Sequence, residues 1–260
     1  MEQDLLPKIG HYDFIAEPFH CDFTKHYCIG HLGNILLNAA DYHSNDRGYG
    51  MNYLNTVHRT WVLSRLAIEL EDVPLAYDKF FVETWVDSAM RYFTSRNFKV
   101  ANDKGHTYGY GRSIWALIDT DSRQPTDILS MRNGLINAYI ETEKECPIKK
   151  PSRVKTPENL SLERIVDTYY SDVDVNGHIN SIKYIDHILD LWPLDWHKAH
   201  PLKRIDIAYV AETHQGDQLM LYTNEHPTSD DNHLTFTIIV NKKVSSGEEI
   251  EACRCSLEFR

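Results

Sequence analysis

Basic residues, cysteines and long apolar runs are all scarce in this chain. Lys and Arg number 27 against 38 Asp and Glu, a formal net charge of −11. Binding nucleic acid needs a dominant basic surface to neutralise phosphates, so that class is excluded. No window approaches the ~18 uninterrupted apolar residues that a membrane helix requires. The opening MEQDLLPKIG carries Glu2 and Asp4 where a secretory signal has basic residues, and no apolar segment follows, so no signal peptide is expected. The five cysteines, Cys21, Cys28, Cys146, Cys253 and Cys255, are odd in number and scattered, which favours reduced thiols in the cytoplasm. Cys253 and Cys255 would share one face of a strand, and no second Cys/His pair stands nearby to suggest zinc. Neither a metal nor a cofactor is expected.

What is present is a globular composition, 42% hydrophobic and 25% charged over 260 residues, enough for one large core or two smaller ones. Residues 21–29 alternate like a strand that Gly30 and Gly33 end. Residues 34–46 (NILLNAADYHSND) are apolar over much of a helical circumference and read as a buried helix, broken by Gly48 and Gly50. Strands follow at 60–70, 79–86, 91–100 and 107–118, rich in aromatic and β-branched residues, with Lys104-Gly105 closing the last hairpin. Between 119 and 160, Pro125, Pro147, Pro151 and Pro157 gather with basic residues, and the stretch reads as a linker with a short helix near 134–142.

The order then repeats: a strand at 162–170, a helix at 179–191, strands at 204–210, 218–224, 234–240 and 249–259, and a turn at Gly247. A gap-free offset of 139 lays Ser64-Arg65-Leu66-Ala67-Ile68 over Lys203-Arg204-Ile205-Asp206-Ile207, and Asp78–Thr84 over Asp217–Thr223. Arg, Asp and Thr match in register with apolar positions between. The expected organisation is an N-terminal unit (1–140), a linker (141–160) and a C-terminal unit (161–260). In each, an antiparallel sheet wraps one central helix, an α+β hotdog arrangement that forms a pseudo-dimer within one chain.

The segment richest in chemistry is SDVDVNGHINSIKYID, residues 171–186. Asp174, Asn176 and His178 alternate just before an apolar helix, so an extended loop presents them on one side. They would converge at a helix N-terminus, where free N–H groups favour negative charge and could hold an oxyanion. Plainer roles compete: Asn176 is among the best N-cap residues, and His178 fits a first helical turn. Asp172-x-Asp174-x-Asn176-Gly177 also imitates half of a calcium loop, but Lys183 stands where the bidentate carboxylate must be, and a strand precedes it, so calcium is rejected. Glu212, at a strand end before Gly216, is a fourth candidate. In the repeat register it faces Val73, and the first helix lacks an Asp-x-Asn-x-His, so the chemistry is expected in the second unit alone.

At these residues the chain resembles the fatty acyl-acyl carrier protein (ACP) thioesterases of plants and bacteria. Asp174-Val175-Asn176-Gly177-His178-Ile179-Asn180, running into Lys183-Tyr184-Ile185, is similar to that family's D-x-N-x-H-V-N-N-x-K-Y-I signature. Tyr209-Val210-Ala211-Glu212-Thr213 is similar to its later Y-R-R-E-C segment, and Thr84-Trp85-Val86, Met90-Arg91 and Ser113-Ile114-Trp115 echo positions in its first half. The resemblance covers about residues 20–260. It implies a double hotdog fold and hydrolysis of acyl-ACP to free fatty acid and holo-ACP in fatty acid biosynthesis. It also implies catalytic roles for Asp174, Asn176, His178 and Glu212. Thr213 departs from the cysteine of many relatives, which excludes a thiol nucleophile there, and Gly177 replaces a Gln-like residue.

A thioester carbonyl is electrophilic and its thiolate leaves well, so carboxylate-activated water or a carboxylate nucleophile suffices. Asp174 is nucleophile or base, Glu212 positions or deprotonates water, Asn176 orients the carbonyl or the acid, and His178 stabilises charge or protonates the sulfur. An acyl tunnel is expected around Leu36, Leu37, Ala40, Trp61, Phe81, Trp85 and Trp115. The expected partner is an acyl-ACP, docking on Lys149, Lys150, Arg153 and Lys155 or on Arg91 and Arg96 against the chain's own negative field. The alternatives are an acyl-CoA thioesterase and a non-catalytic acyl or carrier-protein binding hotdog protein, as a monomer or a homodimer.

Overall fold

The computed structural model describes residues 5–224, 228–230 and 233–260. It forms two compact units, one holding the residues up to Ser64 with Glu71–Lys150, the other Arg65–Leu70 with Pro151–Arg260. The division falls within the stretch read from sequence as a linker, and that stretch is packed down. Cys146 and Ile148 are buried against Trp85 in the first unit, and the Ser152 N–H donates to Asp206 Oδ1 at 2.8 Å in the second.

The first unit contains β1 (Gly10–Ile15), α1 (Ile29–Asp46), α2 (Met51–Leu54), the start of β2 (Arg59–Leu70), β3 (Lys79–Ala89), β4 (Phe93–Ala101) and β5 (Thr107–Asp119). Its strands run in the order β1-β3-β4-β5-β2, and β1, β4 and β5 pair antiparallel along that order. Helix α1 buries Leu32, Ile35, Leu36, Ala39, Ala40, His43 and Ser44, the three-four spacing that makes one helical face. Each large aliphatic side chain among them contributes about 2 kcal/mol by leaving water. The helix stops at Gly48, whose φ of +79° suits glycine.

Two sequence expectations fail at the start of this unit. Residues 21–29 are not a strand: Asp22 Oδ1 accepts the N–H groups of Thr24 and His26, folding the chain into a turn, and α1 begins at Ile29. A side-chain acceptor two residues away competes with a strand ladder, which alternation alone does not reveal. Gly30 and Gly33 lie buried inside α1 instead of ending a strand. The true first strand, β1, was not anticipated; it is six residues long. Farther on, a 3₁₀ run over Ile128–Tyr139, interrupted at Arg132, Asn133 and Gly134 by positive φ, replaces the expected short helix. It buries Ile128, Met131, Ile136 and Tyr139 against Tyr49, Leu54, Val86 and Leu117.

The second unit contains β6 (Ser161–Asp167), α3 (Ser181–Leu189), α4 (Leu194–Ala199), β7 (Leu202–Tyr209), β8 (Gln218–Thr223), β9 (Thr228–Asp230), β10 (His233–Lys243) and β11 (Glu249–Phe259). The end of β2 is followed by β7, β11, β10, β8 and β6, all antiparallel, with β9 on β10. Ala67 pairs with Asp206, its counterpart at the repeat offset. Helix α3 buries Ile182, Tyr184, Ile185 and Ile188, most of the stripe read from the sequence. Cys253 and Cys255 are wholly buried on β11, and burial pushes both thiols up.

Inside the same unit Arg204 holds a buried ionic cluster. Its guanidinium donates to both Asp206 oxygens, at 2.6 and 3.0 Å, and to Glu69 Oε2 at 2.6 Å. Burial opposes the Arg204 charge, but Asp206 and Glu69 outweigh it and raise its pKa.

Candidate active site

The polar run before α3 is a closed loop, not the extended one its alternation suggested. Asp172 O accepts the Asn180 N–H at 2.8 Å and the Asp174 N–H donates to His178 O at 2.8 Å, with a bridge between Val173 and Ile179. At the tip, Asp174 Oδ1 accepts the N–H of Asn176 at 2.8 Å and of His178 at 3.3 Å. Asp174 Oδ2 accepts no hydrogen bond among the described residues. Gly177 turns the chain at φ +81°, with nothing within 4 Å of an added Cβ. Conformation, not space, therefore favours glycine there.

The helix cap is Asn180, not Asn176: Asn180 Oδ1 accepts the Ile182 N–H at 2.9 Å, and α3 starts at Ser181. Both asparagines suit an N-cap, and the Asp174 turn consumes the earlier one's backbone. Asn176 stands exposed at the loop tip.

Glu212 lies beyond the end of β7. The Ile179 N–H donates to Thr213 O at 2.8 Å, and Lys242 Nζ donates to Glu212 O at 2.6 Å. His178 Nε2 consequently stands 3.4 Å from Glu212 Oε2, within ion-pair range, with both side chains partly exposed. Asp174, Asn176 and His178 thus share one loop, and Glu212 comes to His178 from a separate segment. Thr213, one residue on, is fully buried.

Three neighbours escaped sequence reasoning. The ring of His214 meets that of His178 edge to face, centroids 4.9 Å apart. Asp172 closes the loop at its base, and His187 Nε2 lies 3.7 Å from Asp172 Oδ1. The Asp-x-Asp spacing of 172 and 174 is visible in the sequence, but spacing alone does not tell the carboxylate at the loop's base from the one at its tip.

In the first unit a cavity of about 60 Å³ is lined by Leu37, Ala40, Trp61 and Trp115, with Asp41 and Arg96 on its polar side. Leu36, Phe81 and Trp85, expected to join them, do not: Trp85 packs on Cys146 and Ile148, and Phe81 stacks on His11. Arg96, expected on a docking surface, is 5% exposed and donates to Thr84 Oγ1 at 3.2 Å and Ser44 Oγ at 3.0 Å. It sits on the inward side of β4, a choice that alternation in 91–100 left open. Lys149, Lys150, Arg153 and Lys155 are exposed, and Arg91 is exposed beside Asp127 at 3.5 Å.

Two family descriptions match this chain: acyl-ACP thioesterase N-terminal domain over residues 12–131 and acyl-ACP thioesterase C-terminal domain over residues 156–258. A crystal structure of an acyl-ACP thioesterase from Bacteroides thetaiotaomicron is 45% identical, superposes with a TM-score of 0.87 and covers 97% of this chain and 98% of its own. The 12:0-ACP thioesterase from Umbellularia californica shares the double hotdog fold at a TM-score of 0.80 and 20% identity, covering 97% and 94%. Among curated proteins, the chloroplastic oleoyl-acyl carrier protein thioesterase 2 of Arabidopsis thaliana is 25% identical over 86% of this chain. The chain spans 65% of that relative's length, and 70% of that of the Coriandrum sativum oleoyl-acyl carrier protein thioesterase, which is 24% identical over 95% of this chain. No helix among the described residues is long and apolar enough to cross a membrane.

Proposed function

The chain belongs to the acyl-ACP thioesterase family, and on that premise we propose that it hydrolyses fatty acyl-ACP to free fatty acid and holo-ACP in fatty acid biosynthesis. The observation that carries the reading is the pairing of His178 with Glu212 at 3.4 Å beside the Asp174 loop. A carboxylate against an imidazole can take a proton from water and deliver one to a leaving group. Asp174 brings a second carboxylate whose Oδ1 is held by two backbone N–H groups.

In this mechanism water adds to the thioester carbonyl while its proton passes to the Glu212–His178 pair. Asp174 Oδ2 stabilises or orients the attacking oxygen, and the exposed Asn176 amide orients the carbonyl. The C–S bond then breaks, and the imidazole returns the proton to the departing thiolate. The products are a fatty acid and the free thiol of ACP. The first-unit cavity, with Leu37, Ala40, Trp61 and Trp115, has the apolar lining that an acyl chain needs. The exposed Lys149, Lys150, Arg153 and Lys155 meet the acidic carrier protein, so turnover should weaken with salt. The five free cysteines support a reducing, cytoplasmic setting.

The test is release of free acid from an acyl-ACP length series beside the matching acyl-CoAs. Acyl-ACP should be the faster donor, and His178→Ala and Glu212→Gln should each lower kcat by about 100-fold or more with an unchanged circular dichroism spectrum. Turnover like that of the wild type in both variants overturns the site. Faster hydrolysis of acyl-CoA overturns the donor. Binding of acyl-ACP without any release of acid overturns the enzyme reading.

A further inference from the structure

Asp172 is a buried carboxylate at the base of the loop, and it is not one of the four candidate catalytic residues. It is 6% exposed. Its N–H donates to Tyr169 O at 3.0 Å, and its Oδ2 accepts the Tyr169 N–H at 2.8 Å. Its carbonyl accepts the N–H of Asn180, the residue that caps α3. Its remaining oxygen, Oδ1, is 3.7 Å from Nε2 of His187, in the last turn of the same helix. Asp172 therefore touches α3 at both ends, and it anchors the base of the loop that carries Asp174, Asn176 and His178.

His187 contributes an unusual feature. Its Nε2 is buried, with no hydrogen-bond partner among the described residues. A buried ring nitrogen without a partner is costly to keep. The neighbour in reach is Asp172, short of a hydrogen bond by a fraction of an ångström.

We propose that Asp172 and His187 are positioning residues for the reaction. Asp172 sets the loop so that His178 faces Glu212, and His187 holds the Asp172 carboxylate from the helix side. This rests on the functional reading above, since the two act only through His178. Displacement of a catalytic group by about 1 Å is worth on the order of 100-fold in rate, so the effect is measurable far from the reacting bond.

The experiment compares Asp172→Ala, Asp172→Asn and His187→Gln in the full chain. Asp172→Ala should lower kcat by about 10- to 100-fold with KM within about twofold. Asp172→Asn keeps an acceptor for the Tyr169 N–H and should recover most of that loss. His187→Gln should lower kcat by a few-fold, about 3-fold. The Asp172→Ala/His178→Ala double variant should be no slower than His178→Ala alone, because residues acting through one another are not additive. Full kcat in a folded Asp172→Ala, or multiplicative loss in the double variant, overturns the proposal. If Asp172→Ala does not fold, Asp172→Asn and His187→Gln decide by the same KM-against-kcat split. Hydrogen exchange of the amides at 174–180 is an arm independent of turnover. It should quicken in His187→Gln, and unchanged exchange there overturns the proposal. Should the wild type release no acid from any acyl-ACP, the functional reading fails on its own while this arm still decides whether Asp172 and His187 order the loop.

Discussion

His178 Nε2 and Glu212 Oε2 stand 3.4 Å apart, although 34 positions separate them in the chain. The tie that brings them together lies one residue further along each segment, where the Ile179 N–H donates to Thr213 O at 2.8 Å. A backbone bond does not depend on the side chains at 178 or 212. Substitutions at those two positions therefore leave the loop seated and report on chemistry more than on folding.

Asp174 allows the two possible roles of a carboxylate to be separated. Its Oδ1 shapes the loop through the N–H groups of Asn176 and His178, and its charge is what the reaction would use. Asp174→Asn retains an acceptor and removes the charge. Thermal midpoint within about 2 °C of wild type and kcat lower by about 100-fold are the expected results. Unchanged kcat in Asp174→Asn would reduce Asp174 to a turn-forming residue. Asp174→Ala removes both and should lose stability as well.

Arg204 should be among the least replaceable residues of the second unit. Arg204→Leu leaves Asp206, 5% exposed, without its bidentate partner. Removing one member of a buried pair typically costs about 3–5 kcal/mol, which a urea midpoint reads directly. Substituting Asp206→Leu in the same chain should restore much of the loss. A shift under about 1 kcal/mol in the single variant would show the cluster to be balanced elsewhere.

His43 gives the fold a pH dependence. It is fully buried; its Nε2 meets the Lys8 carbonyl at 2.9 Å and the Tyr49 hydroxyl meets its Nδ1 at 3.1 Å. A carbonyl only accepts, so Nε2 carries the proton and Nδ1 accepts from Tyr49. Burial, with the Arg96 and Arg47 charges, lowers its pKa from 6.5 to about 2. The unfolded chain therefore binds a proton that the folded chain refuses between those values. Stability from this residue is full above pH 6.5 and falls as pH drops toward 2. At pH 4 the loss is about 3 kcal/mol. His43→Gln keeps a donor and an acceptor but cannot titrate, so its urea midpoint should fall less steeply between pH 7 and 4. Parallel curves for the two proteins would refute a neutral buried His43.

The period of a helix and the alternation of strands were legible without coordinates. Ile35 to Ala40 on α1, the stripe of isoleucines on α3 and the strands around Lys104-Gly105 follow from side-chain spacing along one element. The repeat was legible too, since similar strands in similar order leave matching residues at a fixed offset. Local pattern could not choose between two equally good caps: Asn180 prevails over Asn176 because Asp174 bonds the backbone ahead of it. Nor could it distinguish the inward Arg96 from the exposed Arg91, or find Asp172 beneath the loop. The sequence by itself determined which residue types were on hand for thioester chemistry and the units that carry them. Only the tertiary structure decided that His178 meets Glu212, because that contact joins segments far apart in the chain, and that Asp172 reaches both ends of α3, because that depends on how the loop folds back onto its helix.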